Sequence, residues 1–496
     1  MTATLSTIMT FILYLAIVLL LSFGGFKATN NLSDYILGGR RLNSFVTALS
    51  AGASDMSGWL LMGLPGAVFL TGISGVWIAI GLILGAWLNW HFVAARLRLY
   101  TEKSGNAQTL PDFLANRFED KTHLLRIVAT IAILIFFTLY CSAGMVAGAR
   151  LFESMFGLSY TIALWIGALI TISYVFIGGF LAISWTDTLQ ASLIIAALII
   201  TPLAVIHTNG GITPSIHAIQ LLHPTNTDFF SHLNAIGVIS LLAWGLGYFG
   251  QPHILVRFMA AKSVHAIPAA RRISMTWMIL CLSGAVAVGF FGSAYYALHA
   301  GQAMIVNANP ESVFMEIVKQ LFNPWITGFL LAAILAVIMS SLSCQLLVCS
   351  SALTEDIYKT FIRKHASQKE LVLCGRLTVL FVACIAIALA SNPANQILKM
   401  VSYAWAGFGA AFGPVVILSL IWSRMTRGGA LAGIITGTIT VLLWKHYAWL
   451  QLYEIVPGFI FASLAIVVVS KLNQMPALSI RNLFDLVEHE IETASV

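Results

Sequence analysis

Charge is the scarcest thing in this sequence: only 9% of its 496 residues are Asp, Glu, Lys or Arg. A soluble domain carries about 25%, so the chain cannot be solvated as an ordinary globule, and a cytosolic enzyme is excluded. A nucleic-acid binder is excluded too, because the net charge of +7 rests on 26 Lys plus Arg against 19 Asp plus Glu and calls for a membrane explanation instead. Cysteine is also sparse. Cys141, Cys281, Cys344, Cys349, Cys374 and Cys384 form no CxxC or Cys/His pattern. Neither a disulfide framework nor a metal cluster is implied, and they read as small apolar packing residues. Within the apolar runs, Asp55 is the only carboxylate at mid-depth, and Lys and Arg are missing there altogether. That disfavours a dianionic substrate. No nucleophile and base pair stands out inside a run, so no enzyme and no cofactor is expected.

What the chain has in abundance is apolar length: 59% of it is hydrophobic and its mean hydropathy is +0.90. With about 20 apolar residues per crossing, the runs give thirteen candidate spanning helices. They are 6–26, 43–70, 73–96, 124–150, 159–178, 187–207, 233–256, 273–298, 322–350, 371–391, 395–422, 427–446 and 453–472. The first run lacks a small-x-small cleavage pattern and is read as a retained anchor rather than a signal peptide. With the N-terminus outside, strict alternation puts all of the 26 cations except Arg150, Lys319, Lys399 and Lys445 on inner connections. That asymmetry predicts an inside C-terminus, with a mildly acidic amphipathic stretch, Leu483 to Ile491, lying as a surface helix in the cytosol.

Small and helix-breaking residues cluster twice inside the runs. The second run reads Leu-Ser-Ala-Gly-Ala-Ser-Asp-Met-Ser-Gly-Trp over Leu49 to Trp59, then Gly63, Pro65 and Gly66. The seventh reads Ala-Trp-Gly-Leu-Gly-Tyr-Phe-Gly-Gln-Pro-His over Ala243 to His253. Each opens a block of five spans. Five is odd, so the second block enters from the opposite side and the blocks form an inverted repeat. Interrupted helices at equivalent places of inverted repeats point to a transporter binding site. Glycines that merely permit close packing are the alternative for either helix alone.

The predicted organisation is therefore a first helix and inner loop (1–42), a first five-helix repeat (43–207), an outer loop (208–232) and a second, inverted repeat (233–422). Two further helices (423–472) and a cytosolic tail (473–496) complete it. A carboxylate at mid-depth costs about 2.5–3.5 kcal/mol to insert and usually lines an ion or substrate path. Asp55 is that carboxylate; a structural one bonded by Ser54 and Ser57 is the alternative. A break around it frees the backbone carbonyls of Ala53 and Met56, hard oxygen ligands for a cation. In the ninth span Val337, Ser340 and Ser341 share one face by i, i+3, i+4 spacing. Two hydroxyls and a loosened carbonyl there would complete an oxygen shell for sodium, although serines bonding back to the preceding turn look the same in sequence.

Tyr140, with Trp244 and Tyr248 one turn apart beside Pro252, can enclose a small apolar ring or a cation. A single carboxylate on the solute would be held by half-helix N-termini. Asp187 follows Ser184 at the start of the sixth span and fits a capping arrangement. Arg40, at the inner end of the second span, reads as an interfacial anchor, with a place near the inward sodium exit as the other reading.

Four blocks carry a resemblance: Ala48 to Trp59, Ser184-Trp-Thr-Asp-Thr188, Trp244 to His253, and Tyr403-Ala-Trp-Ala-Gly-Phe-Gly-Ala-Ala-Phe-Gly-Pro414. With these the chain, from about Leu32 to Leu472, resembles the sodium:solute symporter family, and within it the bacterial members that carry proline. The resemblance implies an all-α membrane protein of LeuT-type fold, with one helix before two inverted five-helix repeats and two after. It implies sodium held by backbone oxygens of Ala53, Met56 and Val337 and by the hydroxyls of Ser340 and Ser341, with Asp55 supplying the negative field. L-Proline would lie against Tyr140, Trp244, Tyr248 and Pro252, near Ser57 and Gly58. Ser341 stands where those members have Thr, and Val337 where they have Ala. Another amino acid, pantothenate or a quaternary amine on the same scaffold is the neighbouring reading. Sodium, L-proline and membrane lipid are the expected partners, with no nucleic acid.

Overall fold

The computed structural model describes residues 5–27, 31–177, 179–447 and 449–494. Among these the chain is helical, and its one β-like pairing is an isolated bridge between Leu42 and Ala261. Ten of the helices are long and apolar enough to cross a membrane; Tyr160–Ser173 and Ala235–Gly250 are shorter apolar helices. Helix starts follow local chemistry. Asn43, Asn234, Asn323 and Ser367 each accept from a backbone N–H in the first turn of the helix they precede, which satisfies donors that have no intrahelical acceptor.

The helix Pro324–Ser351 lies at the centre and is almost wholly buried, whereas the first helix, Leu5–Lys27, is mostly exposed. The latter leaves Leu13, Leu20 and Phe23 exposed, an apolar surface suited to hydrocarbon. Around the central helix pack Ser44–Asp55, Leu124–Phe156 and Phe180–Thr208. Gly72 makes the turn between Leu64–Thr71 and Val76–Leu88 at φ 72°. A Cβ there would run into the backbone of Asn226, so glycine is required both for conformation and for space.

Both interruptions exist. The first broken helix runs Ser44–Asp55, leaves helical geometry at Met56 (φ −78°, ψ 91°), and resumes as a π-helical turn, Trp59–Gly63, and Leu64–Thr71. The second runs Ala235–Leu242, tightens to a 3-10 stretch over Ala243–Gly250, breaks at Gln251 (φ −82°, ψ 106°), and resumes as Pro252–Ala260. Pro252 sits at the first position of its half-helix, where its missing N–H costs nothing. The tail forms the helix Leu478–Thr493, longer than the expected stretch, and packs against Ala94–Lys103 through buried Ile480, Phe484, Val487 and Ile491.

Some expected boundaries move, and one of them matters for the site. The helix that carries Asp187 begins at Phe180, seven residues before the apolar run suggested, because Ser184, Thr186 and Thr188 bond back to carbonyls of the preceding turn and so fit inside the helix.

Candidate functional site

In the first broken helix the backbone ladder ends with Met56 N–H donating to Gly52 O (3.0 Å) and restarts with Leu60 N–H donating to Ser57 O (2.9 Å). The carbonyls of Ala53 and Met56 fall in that gap, as the sequence predicts. The intervening Asp55 carbonyl accepts from the Trp59 indole (3.4 Å) and the Tyr140 hydroxyl (3.5 Å). Asp55 itself is buried, and its Oδ2 accepts a short hydrogen bond from the Tyr248 hydroxyl of the second broken helix. Its Oδ1 has no hydrogen-bond partner among the described residues. A buried carboxylate with an idle oxygen is a costly feature.

Val337, Ser340 and Ser341 are buried on the central helix, which packs against Ser44–Asp55. Ser341 Oγ donates back to Val337 O (3.0 Å) and Ile338 O (3.2 Å), the arrangement that sequence could not separate from ligation. A hydroxyl so placed still has lone pairs to offer. Ser340 Oγ turns the other way and donates to Asp187 Oδ1 at 2.5 Å.

Aromatic rings surround the two breaks. Trp59 lies 6.5 Å from Trp244, Trp244 5.6 Å from Tyr453, and Tyr248 meets Trp405 edge-on at 5.2 Å, centroid to centroid. Tyr140 stands edge-on to His253 at 6.0 Å, beside Pro252. Ser57 and Gly58 are buried in the break, and a Cβ on Gly58 would come within 2.6 Å of Ala147 Cβ. The structure thus brings together Asp55, Tyr140, Trp244, Tyr248 and the Ser57–Gly58 turn.

Several residues of this region carry no role in the sequence reading. Trp405 donates to Trp244 O (2.7 Å) and accepts at its own carbonyl from Gln251 (3.3 Å); its one signal was its place in the Tyr403 to Pro414 block. Asn89 donates to Tyr248 O (3.0 Å). His253 is fully buried, and neither ring nitrogen has a hydrogen-bond partner among the described residues.

Several expectations are corrected. Asp187 caps nothing: it lies two turns inside its helix, fully buried, accepting from Ser50 (2.7 Å) and Ser340 and facing Arg257 at 3.4 Å. Asp55 is therefore not the only carboxylate in the interior, and Arg257, placed by hydropathy on an inner connection, is a fully buried cation on Pro252–Ala260. Cys344 is more than packing, since its sulfur accepts from Arg257 at 2.5 Å. Arg40 is a clasp rather than a headgroup anchor. Its guanidinium donates to Asn106 Oδ1 (3.0 Å), Thr101 Oγ (3.1 Å), Ala107 O (2.8 Å) and Met259 O (2.5 Å) at the end of the second broken helix. Burial and the neighbouring Arg98 lower its pKa to about 10, so it stays charged at neutral pH.

A small crevice of about 20 Å³ lies beside these elements, lined by Pro252, Arg257, Met259, Phe180 and Thr109 among others. Two helices broken at matching places, meeting through Tyr248 and Asp55 inside a bundle of apolar helices, define a multi-pass membrane transporter. The comparisons with known proteins make the assignment specific. Residues 35–437 match the Sodium:solute symporter family, and the chain belongs to it. It is 64% identical over 477 residues to the sodium/proline symporter of Escherichia coli (strain K12), covering 96% of this chain and 95% of that one. It is 53% identical over 468 residues to the high-affinity proline transporter PutP of Bacillus subtilis (strain 168), covering 94% and 98%. Among solved structures it shares the fold of a Na+-coupled sialic acid symporter in a substrate-bound outward-open state, with TM-score 0.81 at 18% identity over 96% of this chain and 99% of that one. The nucleobase-cation-symport-1 family transporter Mhp1 follows at TM-score 0.56 and 12% identity, over 91% and 98%.

Proposed function

We propose that this protein is a secondary active transporter that couples inward sodium movement to L-proline uptake across the bacterial cytoplasmic membrane by alternating access. The observation that carries the reading is the junction at Asp55, where a carboxylate with one idle oxygen joins both broken helices and borders the aromatic cluster. The names of the relatives, sodium/proline symporter and proline transporter, supply the solute.

In this reading the topology has thirteen crossings. The continuous run Trp59–Lys103 turns at Gly72 and is shared by two of them, and Tyr160–Ser173 and Ala235–Gly250 cross as well. The N-terminus lies outside and the C-terminus in the cytoplasm. Residues 43–207 and 233–422 are the inverted LeuT-type repeats, preceded by 1–42 and followed, after 208–232 between them, by 423–472 and the tail 473–496. Sodium binds the carbonyls of Ala53, Met56 and Val337 and the hydroxyls of Ser340 and Ser341, in the field of Asp55. Proline, a small apolar ring bearing a carboxylate and a secondary ammonium, packs on Tyr140, Trp244, Tyr248 and Pro252 near Ser57 and Gly58. Arg40 and Asp187 act in coupling and gating. Nothing covalent is asked of the protein.

The energetics suffice. One sodium ion crossing 100 mV yields about 2.3 kcal/mol, and a tenfold gradient adds about 1.4 kcal/mol. Together they support accumulation of several hundredfold. The test is uptake of radiolabelled proline into proteoliposomes under an inward sodium gradient, against potassium replacement and Asp55→Asn. Uptake that needs sodium and fails in the variant supports both assignments. Sodium-dependent uptake of another amino acid, pantothenate or a quaternary amine, with none of proline, would replace the solute.

A further inference from the structure

Beyond its buried stretch the central helix runs into a π-helical segment, Ala352–Ile362, and the chain turns back through an exposed connection into the helix Gln368–Ala390. An open groove of about 360 Å³ lies here, with Tyr358 and Glu370 at one end. Leu373, Leu377 and Phe381 line it at i, i+4 and i+8 spacing and are 55%, 56% and 62% exposed. Two shorter side chains of the same helix, Cys374 and Thr378, also line it, and the Thr378 hydroxyl spends its proton on Cys374 O (3.0 Å). At the polar end the Tyr358 hydroxyl donates to Glu370 Oε1 (2.6 Å), and Arg363 pairs with the same oxygen at 3.2 Å.

The groove differs from ordinary lipid-facing surface in its charged end. From Lys359 to Arg376 the chain holds five Lys or Arg and one carboxylate, Glu370. That carboxylate is engaged by Tyr358 and Arg363, and Lys359 is paired with Glu355 at 2.7 Å. Lys364 and Lys369, chain neighbours of Arg363 and Glu370, are exposed and make no ion pair among the described residues. The end is therefore net positive and suits an anion such as a phosphodiester. The ammonium of a zwitterionic headgroup finds no acid left to meet. From Leu373 to Phe381 the helix climbs about 12 Å, within the about 15 Å of hydrocarbon in one leaflet. Tyr358 stands at the junction of the two, where an amphipathic ring marks the membrane–water interface. Charge and length together match one acyl chain anchored by one anionic phosphate.

We propose that this groove is a binding site for an anionic phospholipid, with its phosphodiester at Lys364 and Lys369 and one acyl chain along Leu373, Leu377 and Phe381. A lipid seated there clips the outgoing end of the central helix, at Tyr358, to Gln368–Ala390. The inference needs the chain to cross a membrane and is independent of the solute and the ion it carries.

The experiment is native mass spectrometry of the purified full chain in detergent, titrated with phosphatidylglycerol or with phosphatidylcholine of the same acyl chains, in the absence of sodium and proline. Phosphatidylglycerol is expected to bind at least about tenfold more tightly. Lys364→Gln combined with Lys369→Gln is expected to remove that preference and to leave phosphatidylcholine binding unchanged. Lys121→Gln combined with Arg272→Gln removes the same charge from two other exposed positions and is expected to keep the preference. Cys374→Trp fills the groove and is expected to weaken both lipids; Leu377→Ser, at an exposed position, makes the same test of the apolar wall where the larger side chain lowers the yield of folded protein. Equal binding of the two lipids overturns the site, as does a preference that survives loss of Lys364 and Lys369 or disappears equally with Lys121 and Arg272. Lipid binding unaffected by both groove variants overturns the placement of the acyl chain, and the site with it. Displacement of the lipid by inorganic phosphate alone makes this a free-anion site and overturns the lipid assignment. None of these readouts depends on uptake, so a failure here leaves the transport reading standing, and a failure of proline uptake leaves the lipid site standing.

Discussion

The Tyr248 hydroxyl donates to the Asp55 carboxylate across the gap between the two broken helices. One residue expected at the solute and one expected at the ion are thus in direct contact, so a change at either is felt by the other. Tyr248→Phe removes the donor while keeping the ring, and hydrogen bonds to charged groups contribute about 1.5–3 kcal/mol. The expected result is a proline KM raised by about tenfold or more with protein levels unchanged, measured in sodium-driven uptake. Asp55→Asn is expected to abolish the response to sodium rather than shift it.

Trp405 fixes the 3-10 stretch by donating to Trp244 O, and it lies so close to Gly247 that a Cβ there would overlap its indole nitrogen. Gly247→Ala should therefore push Trp405 off its acceptor and cost about 1–3 kcal/mol, the usual range for overpacking. Thermal unfolding in detergent is the measurement, with Gly301→Ala, which meets nothing within 4 Å, as the neutral control.

Two acids outside the spans respond to pH in opposite directions. Burial pushes the Asp120 carboxyl up. The Thr122 hydroxyl, the backbone N–H groups of Leu125 and Thr122, and Arg427 outweigh it and hold the group below its ordinary value. Asp120 therefore stabilises the fold above its unfolded pKa near 4, and that contribution disappears as pH falls through the lower, folded value. Glu311 is raised by burial, partly offset by the N–H groups of Leu398 and Ile397 that its carboxylate caps. Its contribution is fully present below its unfolded pKa and is lost as pH rises through the higher, folded one. Unfolding temperatures between pH 3 and about 7 should show Asp120→Asn flattening the acid limb and Glu311→Gln the upper one.

The tail helix is strapped down by Arg96 to Glu488 (2.8 Å) and Lys103 to Glu490 (2.7 Å), with Phe484 over the Arg117 guanidinium. Exposed pairs of this kind contribute about 0.2–1 kcal/mol each, and about 1 M salt shortens the screening length to about 3 Å. Hydrogen exchange over residues 478–493 should quicken with added salt. Glu488→Gln with Glu490→Gln should remove the salt dependence, whereas Phe484→Ala should loosen the helix at every salt concentration.

Hydropathy marked the long apolar helices, because a chain that must satisfy its backbone in hydrocarbon has few other options, and clustered glycine and proline marked the two interruptions. Asp55, Ser340, Tyr140, Trp244 and Tyr248 were legible for the same reason: a polar or amphipathic side chain inside an apolar run is costly and stands out. Arg257 and Asp187 did not stand out, since each lies within a few residues of a run's apparent end. Only the tertiary structure brings Ser50, Ser340 and Phe180 around them and turns two boundary charges into a buried pair. Trp405 is the same case among aromatics, one ring of many until the fold sets it against Gly247. Local sequence determines which segments enter the membrane and where they break, because that is a property of each segment with its solvent. Which side chains meet there depends on helices far apart in the chain, and that only packing decides.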